Sequence, residues 1–193
     1  MRWFTSDTHF GHRNIIRYCD RPFTDVNHMN EVLIRNWNER VAPDDTVYHL
    51  GDVALGPWEE WNGILTRLNG LKVLVIGNHD RIFKGMPLKQ QTKFYDRYAN
   101  WFDVIADHIT NLPVAGKLVN LSHFPYDGDH TKEERYNEYR LPDNSKILIH
   151  GHTHYNSVVS RSKRGTLQVH VGTDAWNYRP VSEDEIRAVI NSF

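Results

Sequence analysis

Residues 71 to 80 read L-K-V-L-V-I-G-N-H-D. Leu71 to Ile76 suit a short buried strand, and the run passes directly into a glycine, an amide, an imidazole and a carboxylate. A strand ending this way is a rigid post that holds metal-binding or proton-moving groups at its tip. The same pattern recurs along the chain. Trp3–Ser6 leads into Asp7-Thr8-His9 and Thr46–Leu50 into Gly51-Asp52. Lys117–Leu121 leads into Ser122-His123, and Lys146–Ile149 into His150-Gly151-His152-Thr153-His154. Loops at the carboxyl ends of strands in an α/β sheet gather into one crevice, so these distant groups are expected to meet. Gly51, Gly77 and Gly151 precede Asp52, Asn78 and His152, where they would let the backbone turn sharply toward a common centre.

Helical patterns separate these strands. Asn14–Cys19 reads as a short helix, and residues 25–41 place Val26, Met29, Leu33, Trp37 and Val41 on one face, with Thr24 as the expected N-cap. Pro57 opens a helix to Leu68, and Ser182 caps a last helix from Glu183 to Ser192 whose first turn is acidic. Further strands are expected at 102–109, 157–161 and 166–171. Early β-α alternation followed by hairpins predicts an α/β sandwich, and the absence of repeats or linkers predicts a single domain over 1–193.

The clustered residue types select a chemistry. Imidazole, carboxylate and amide oxygen suit divalent Zn, Mn or Fe, and without thiolates they do not make a zinc knuckle or an iron–sulfur cluster. Asp7, His9, Asp52, Asn78, His123, His152 and His154 are too many ligands for one tetrahedral ion and suit two ions sharing a bridge. Two divalent ions, less two carboxylates and one hydroxide, leave a centre of net positive charge that attracts phosphate. Such a pair also activates a bridging water and clamps an in-line displacement, which is phosphate-ester hydrolysis.

The ordered blocks D-T-H (7–9), G-D (51–52), G-N-H-D (77–80), S-H (122–123) and G-H-T-H (151–154) resemble the calcineurin-like metallophosphoesterase family. The resemblance implies two mixed β-sheets packed face to face with helices on the outer faces, a four-layer αββα sandwich. It implies that Asp7, His9 and His154 hold a first ion, that Asn78, His123 and His152 hold a second, and that Asp52 bridges them. A metal-bridging hydroxide would attack, His79 would be the general acid and Asp80 would orient its ring. The protein Ser/Thr phosphatase branch carries an arginine shortly after G-D. Here Val53-Ala54-Leu55-Gly56 follow, which points to compact stand-alone members that often accept diesters, cyclic nucleotides included.

Other segments bear on specificity. His12, on the loop with Asp7 and His9, is a candidate substrate contact, against a plain helix-start role. Residues 125–142 form a polar, aromatic insert after His123. It is either a solvated loop or a rim over the metals where Tyr126, Tyr136, Tyr139 or Arg140 meets substrate. Residues 161–165 read as a charged hairpin turn, with a phosphate-tracking patch as the alternative. His150 is expected in the core or behind the ligands, Cys19 as an inert apolar residue, and Trp58 and Trp61 on a buried helix face or at a dimer contact.

Bulk properties bound the partners. Lys plus Arg total 23 against 24 for Asp plus Glu, so net charge does not favour nucleic acid or an anionic membrane. The lone Cys19 excludes an intramolecular disulfide and suits a reducing compartment. No apolar leader opens the sequence and no apolar stretch is long enough to span a bilayer, so a soluble cytoplasmic location is expected. The favoured reading is a phosphodiesterase acting on a small phosphate ester. A nuclease, a phosphomonoesterase and a non-catalytic metal-binding scaffold are the alternatives.

Overall fold

The computed structural model describes residues 1–131 and 133–193. Two five-stranded mixed sheets carry the chain. In the first, β1 (Arg2–Thr5), β2 (Thr46–His49), β3 (Leu71–Val75) and β4 (Val104–Ala106) run parallel in that order, and β10 (Val181–Ser182) pairs antiparallel to β1. In the second, the order is β5 (His108–Val114), β6 (Lys117–Ser122), β7 (Leu148–His150), β9 (Leu167–His170) and β8 (Val159–Arg161). There β6, β7 and β9 are parallel, while β5 and β8 are antiparallel edges.

Side-chain alternation sorts residues into two cores. Phe4, Val75, Val119, Leu121, Ile149 and Val169 point between the sheets, where Ile186 and Ile190 of α5 (Glu183–Asn191) join them. Trp3, Val47 and Leu74 point the other way, under α2 (Val26–Asn38) and α3 (Trp58–Leu65), with Phe94 and Tyr98 of α4 (Leu88–Tyr98). Tyr126 and Asn144 pack over the outer face of the second sheet. Outward-facing Asn120 donates to the Tyr126 hydroxyl at 2.9 Å, and Gln168 accepts from the Tyr126 amide at 2.7 Å. The fourth layer is therefore a buttressed insert with a 3-10 turn at Asn137–Tyr139.

Local differences from the sequence reading have physical causes. Asp25, not Thr24, caps α2: its carboxylate accepts from His28 N at 2.9 Å, while the Thr24 amide is taken by the His28 ring at 3.2 Å. The run 102–109 is not one strand, because the chain leaves the first sheet after Ala106 and enters the second at His108. Helix α4 and the short β10 were not expected. Trp61 is buried, and Trp58 packs on Trp61, Phe94 and Trp101 with ring centroids 4.6–5.3 Å apart, which places both in the helix core. His150 lies within β7, buried beside the His170 ring. No described helix is long and apolar enough to cross a membrane.

Candidate metal centre

The strand ends do converge. Asp7 N donates to Gly51 O, and His9 N to Asp52 O, which lashes the first two loops together. The Asp52 carboxylate accepts from His79 N at 2.8 Å, and Asp7 Oδ2 accepts from His152 N at 2.9 Å. Asp7, His9, Asp52, His152 and His154 all have left-handed backbones, with φ between +49° and +70°. That conformation costs an L-residue roughly 1–2 kcal/mol, and its concentration here marks a site where position takes precedence over local ease.

The glycines act by omission of a side chain more than by turning. A Cβ on Gly77 would lie 2.3 Å from Asp52 Oδ1, and one on Gly151 would lie 1.9 Å from Ser6 Oγ. The loops can approach one another only because nothing projects from these positions.

At the centre, Asp52 Oδ2 lies 3.6 Å from His9 Nε2 and 3.5 Å from His123 Nε2. His154 Nε2 and Asp7 Oδ1, 3.9 Å apart, flank the His9 side, and the His9 and His154 rings stack at 5.2 Å. On the other side, His123 Nδ1 meets the Leu50 carbonyl at 2.6 Å, which fixes its proton there. The Nε2 lone pair then faces Asn78 Oδ1 at 3.0 Å as well as Asp52. Several acceptor atoms converge here. Asp7 Oδ1 and both His9 ring nitrogens are buried without a hydrogen-bond partner among the described residues. A divalent cation on each side would satisfy these groups, so the donor set fits two ions with Asp52 within reach of both.

The electrostatics agree. Burial works against ionising Asp7, yet His154, His123 and His170 hold it well below the usual carboxylate range. Burial, then Asp7, pushes Asp52 well above it. Two enclosed carboxylates this close ionise together only beside positive charge. Desolvation of the partly buried His154 opposes its protonation, and its bond to Asp174 and the charge of Asp7 nevertheless push it up to about 11. An ion beside Asp7 would take the place of that proton.

Some site residues carried no signal in the sequence. Asp174 accepts from His154 Nδ1 at 2.9 Å and is itself gripped by Arg21 through Nε at 2.7 Å and a second guanidinium nitrogen at 2.9 Å. Arg21 also donates to the Asp7 and Thr8 carbonyls. Cys19 lies beside His154 and Asp174, closer to the centre than an inert core position would be. On the opposite side Asp129 Oδ1 stands 3.3 Å from His152 Nε2. Burial opposes its ionisation, but Arg135 and His152 hold the carboxyl well below its usual range.

Two expectations are corrected. Asp80 does not orient the His79 ring; its carboxylate accepts from the amides of Gly77 at 2.7 Å and of Asp52 and Val53 at 3.1 Å, buckling the two loops. In the insert, Tyr126 and Arg140 face inward. The Tyr126 hydroxyl bonds to Lys146 O, and Arg140 donates to the Pro125, Gly128 and Arg135 carbonyls. Tyr136 does stand by the ligands, stacked on Phe124 at 5.1 Å and edge-on to His152 at 5.7 Å. His79 is exposed at the mouth, its ring 5.5 Å from His9, and His12 lies 5.4 Å from His9 on the same side. The 161–165 turn is a hairpin whose cations are engaged within the chain: Lys163 pairs with Glu134, Arg164 reaches Asp143 O and Arg161 reaches Gly165 O.

A two-sheet sandwich whose parallel strand ends present a bridging carboxylate between two histidine-rich half-sites is the architecture of a metal-dependent phosphoesterase. The chain belongs to the calcineurin-like phosphoesterase family, which it matches over residues 2–156. It is 38% identical over 203 aligned residues to the Gene 66 protein of Mycobacterium phage L5, covering 98% of this chain and 93% of that protein. It is 33% identical to an uncharacterized protein of Methanocaldococcus jannaschii, covering 97% and 90%. A crystal structure of a protein of unknown function from Aquifex aeolicus superposes with a TM-score of 0.72 at 29% identity, over 98% of each chain.

Proposed function

We propose that the chain, acting as one domain over 1–193, hydrolyses a small phosphodiester such as a cyclic nucleotide, in the cytoplasm, with two Mn, Zn or Fe(II) ions. The observation that carries the reading is Asp52 Oδ2, placed within 3.6 Å of a nitrogen from each half-site. When bound, the ions would supply the Lewis-acid charge and the activated water that attack on phosphorus requires.

The chain's own residues supply the rest. Asp7, His9 and His154 would hold one ion, Asn78, His123 and His152 the other, and Asp52 both. His79 gives its proton to the leaving oxygen. His79 is solvent-accessible as a residue, but desolvation of its ring against the neighbouring loops, then His123 and His12, pull it down to about 4, so an approaching phosphate anion must raise its proton affinity before it can act as an acid. An alkoxide leaving group benefits most from such an acid, which suits an alkyl ester; the diester preference itself is supported by the likeness to compact stand-alone members that often accept diesters. His12 stands where it would touch the bound phosphate. A cavity of about 320 Å³ walled by Phe83, Phe124 and Tyr139 lies beside the His123 loop and is large enough for a small organic group. The free Cys19 fits a reducing compartment.

The test strips the protein of metal and returns Mn, Zn, Fe(II) or Mg singly, with bis(4-nitrophenyl) phosphate, 4-nitrophenyl phosphate and cyclic nucleotides as substrates. Metal-dependent turnover that favours diesters is expected. Faster monoester hydrolysis overturns the diester assignment, and steeply salt-dependent cleavage of long nucleic acid replaces it with a nuclease. No turnover with two ions bound makes the protein a scaffold.

A further inference from the structure

We propose that Asp129 is a positioning residue for the second metal site, and that the described residues 125–131 and 133–142 are folded around it so as to hold His152 in register. The proposal rests on the reading of His152 as a ligand of the second ion.

The placement is that of a carboxylate set against a ligand histidine. Asp129 Oδ1 lies 3.3 Å from His152 Nε2, at ion-pair distance though not aligned as a hydrogen bond, and a proton on Nε2 facing that carboxylate would leave Nδ1 to face an ion. The backbone of His152 is held independently through its amide to Asp7 Oδ2, which leaves ring rotation as the freedom to be removed. Asp129 itself cannot be the ligand, although it clusters with His130 and His152. Guanidinium nitrogens of Arg135 and Arg140 stand 3.1 and 3.6 Å from its carboxylate, and a dication placed there would meet two fixed positive charges. The arginines do a different job: they make the buried carboxylate tolerable and aim it.

The insert is built to keep Asp129 in place. Arg140, with only 3% of its side chain exposed, draws the Pro125, Gly128 and Arg135 carbonyls around itself. The Asp129 carbonyl accepts from Tyr155 Oη at 2.6 Å, two residues after the Thr153 that separates the paired histidines. Lys163 N bonds to Asp127 at 2.8 Å and the Lys163 side chain pairs with Glu134, pinning the insert to the β8–β9 hairpin. The other half-site shows the tighter version of this pairing, with Arg21 holding Asp174 in a 2.9 Å hydrogen bond to His154. That two ligand histidines each have an arginine-braced carboxylate behind them argues against coincidence at Asp129.

The experiment compares wild type, Asp129→Ala, Asp129→Asn and His152→Ala by calorimetric titration of the metal-free proteins with Mn²⁺, alongside thermal unfolding. Loss of one of two ions in His152→Ala confirms the ligand reading; retention of both refutes that reading, and the proposal with it. Given that loss, Asp129→Ala is expected to weaken one ion 10- to 100-fold and leave the other unchanged. Asp129→Asn, which keeps an acceptor oxygen, should weaken the same ion less. Wild-type affinity for both ions in folded Asp129→Ala, or equal weakening of both, overturns the proposal. Should the Ala variant fail to fold, unchanged affinity in Asp129→Asn does the same.

Discussion

His79 is joined to the metal loops by its backbone, whose N–H donates to Asp52 Oδ1, while its side chain reaches the solvent-accessible mouth. Replacing the ring should therefore spare the ions. His79→Ala is expected to keep two metals per chain and to lower kcat on a dialkyl or cyclic diester by roughly 10²- to 10⁴-fold, the usual range for a lost general acid. With bis(4-nitrophenyl) phosphate the loss should be far smaller, because 4-nitrophenolate departs without a proton. Steady-state rates on both substrates, with metal content measured alongside, check this; an unchanged rate on the alkyl ester removes His79 from the proton transfer. The seven proposed ligands were legible because they are metal-binding types placed directly after apolar runs, three of them behind a glycine. Asp129, Asp174 and Arg21 were not, since single charged residues carry no pattern and Arg21 meets its partner across 153 positions. The part given to Asp80 failed for a related reason. Sequence adjacency to His79 does not reveal that three backbone amides have already claimed its oxygens.

Among the elements, α2 offers a direct test of capping. Thr24 and Asp25 are both capping types, and spacing alone does not choose between them. The geometry does, because Asp25 accepts from His28 N whereas Thr24 bonds to the His28 ring. Asp25→Ala should destabilise the protein by about 1 kcal/mol and Thr24→Ala by distinctly less, read as midpoints of urea unfolding at unchanged slope. A larger loss from Thr24→Ala would return the cap to it. Elements with strong periodicity, such as α2, α5 and β3, were legible to within a few residues. The β4–β5 corner was not: an unbroken run of strand-compatible residues is equally consistent with one long strand and with a chain that changes sheets at Asp107. Helix α4 escaped because Phe94 and Tyr98 are the buried residues of a strongly polar segment, although Pro87 at its N-cap was a usable signal.

At the scale of the molecule, bringing many histidines to one end of a sandwich makes stability depend on pH. His49 is the clearest case, being buried, stacked on Trp37 and outside the proposed ligand set. Thr8 Oγ donates to Val53 O and so accepts from His49 Nε2 at 2.9 Å, leaving Nδ1 enclosed without a partner among the described residues. Burial pushes this imidazole down to about 3 from an ordinary 6.5. Between those values the unfolded chain binds a proton that the folded protein refuses, so acid favours unfolding. The neutral ring's contribution is complete above about pH 6.5 and is lost as pH falls toward 3, by up to about 1.4 kcal/mol per pH unit within that window. His49→Phe retains the stacking and has no proton to bind. Its unfolding free energy should start below wild type at pH 7, for want of the Thr8 bond, and then fall less steeply, so that the two curves approach or cross between pH 6 and 4. Urea unfolding in the presence of a chelator keeps metal release out of the comparison. Parallel curves would mean that His49 gains a proton in the folded protein after all, and that the core around Trp37 admits a charge which its packing is expected to exclude.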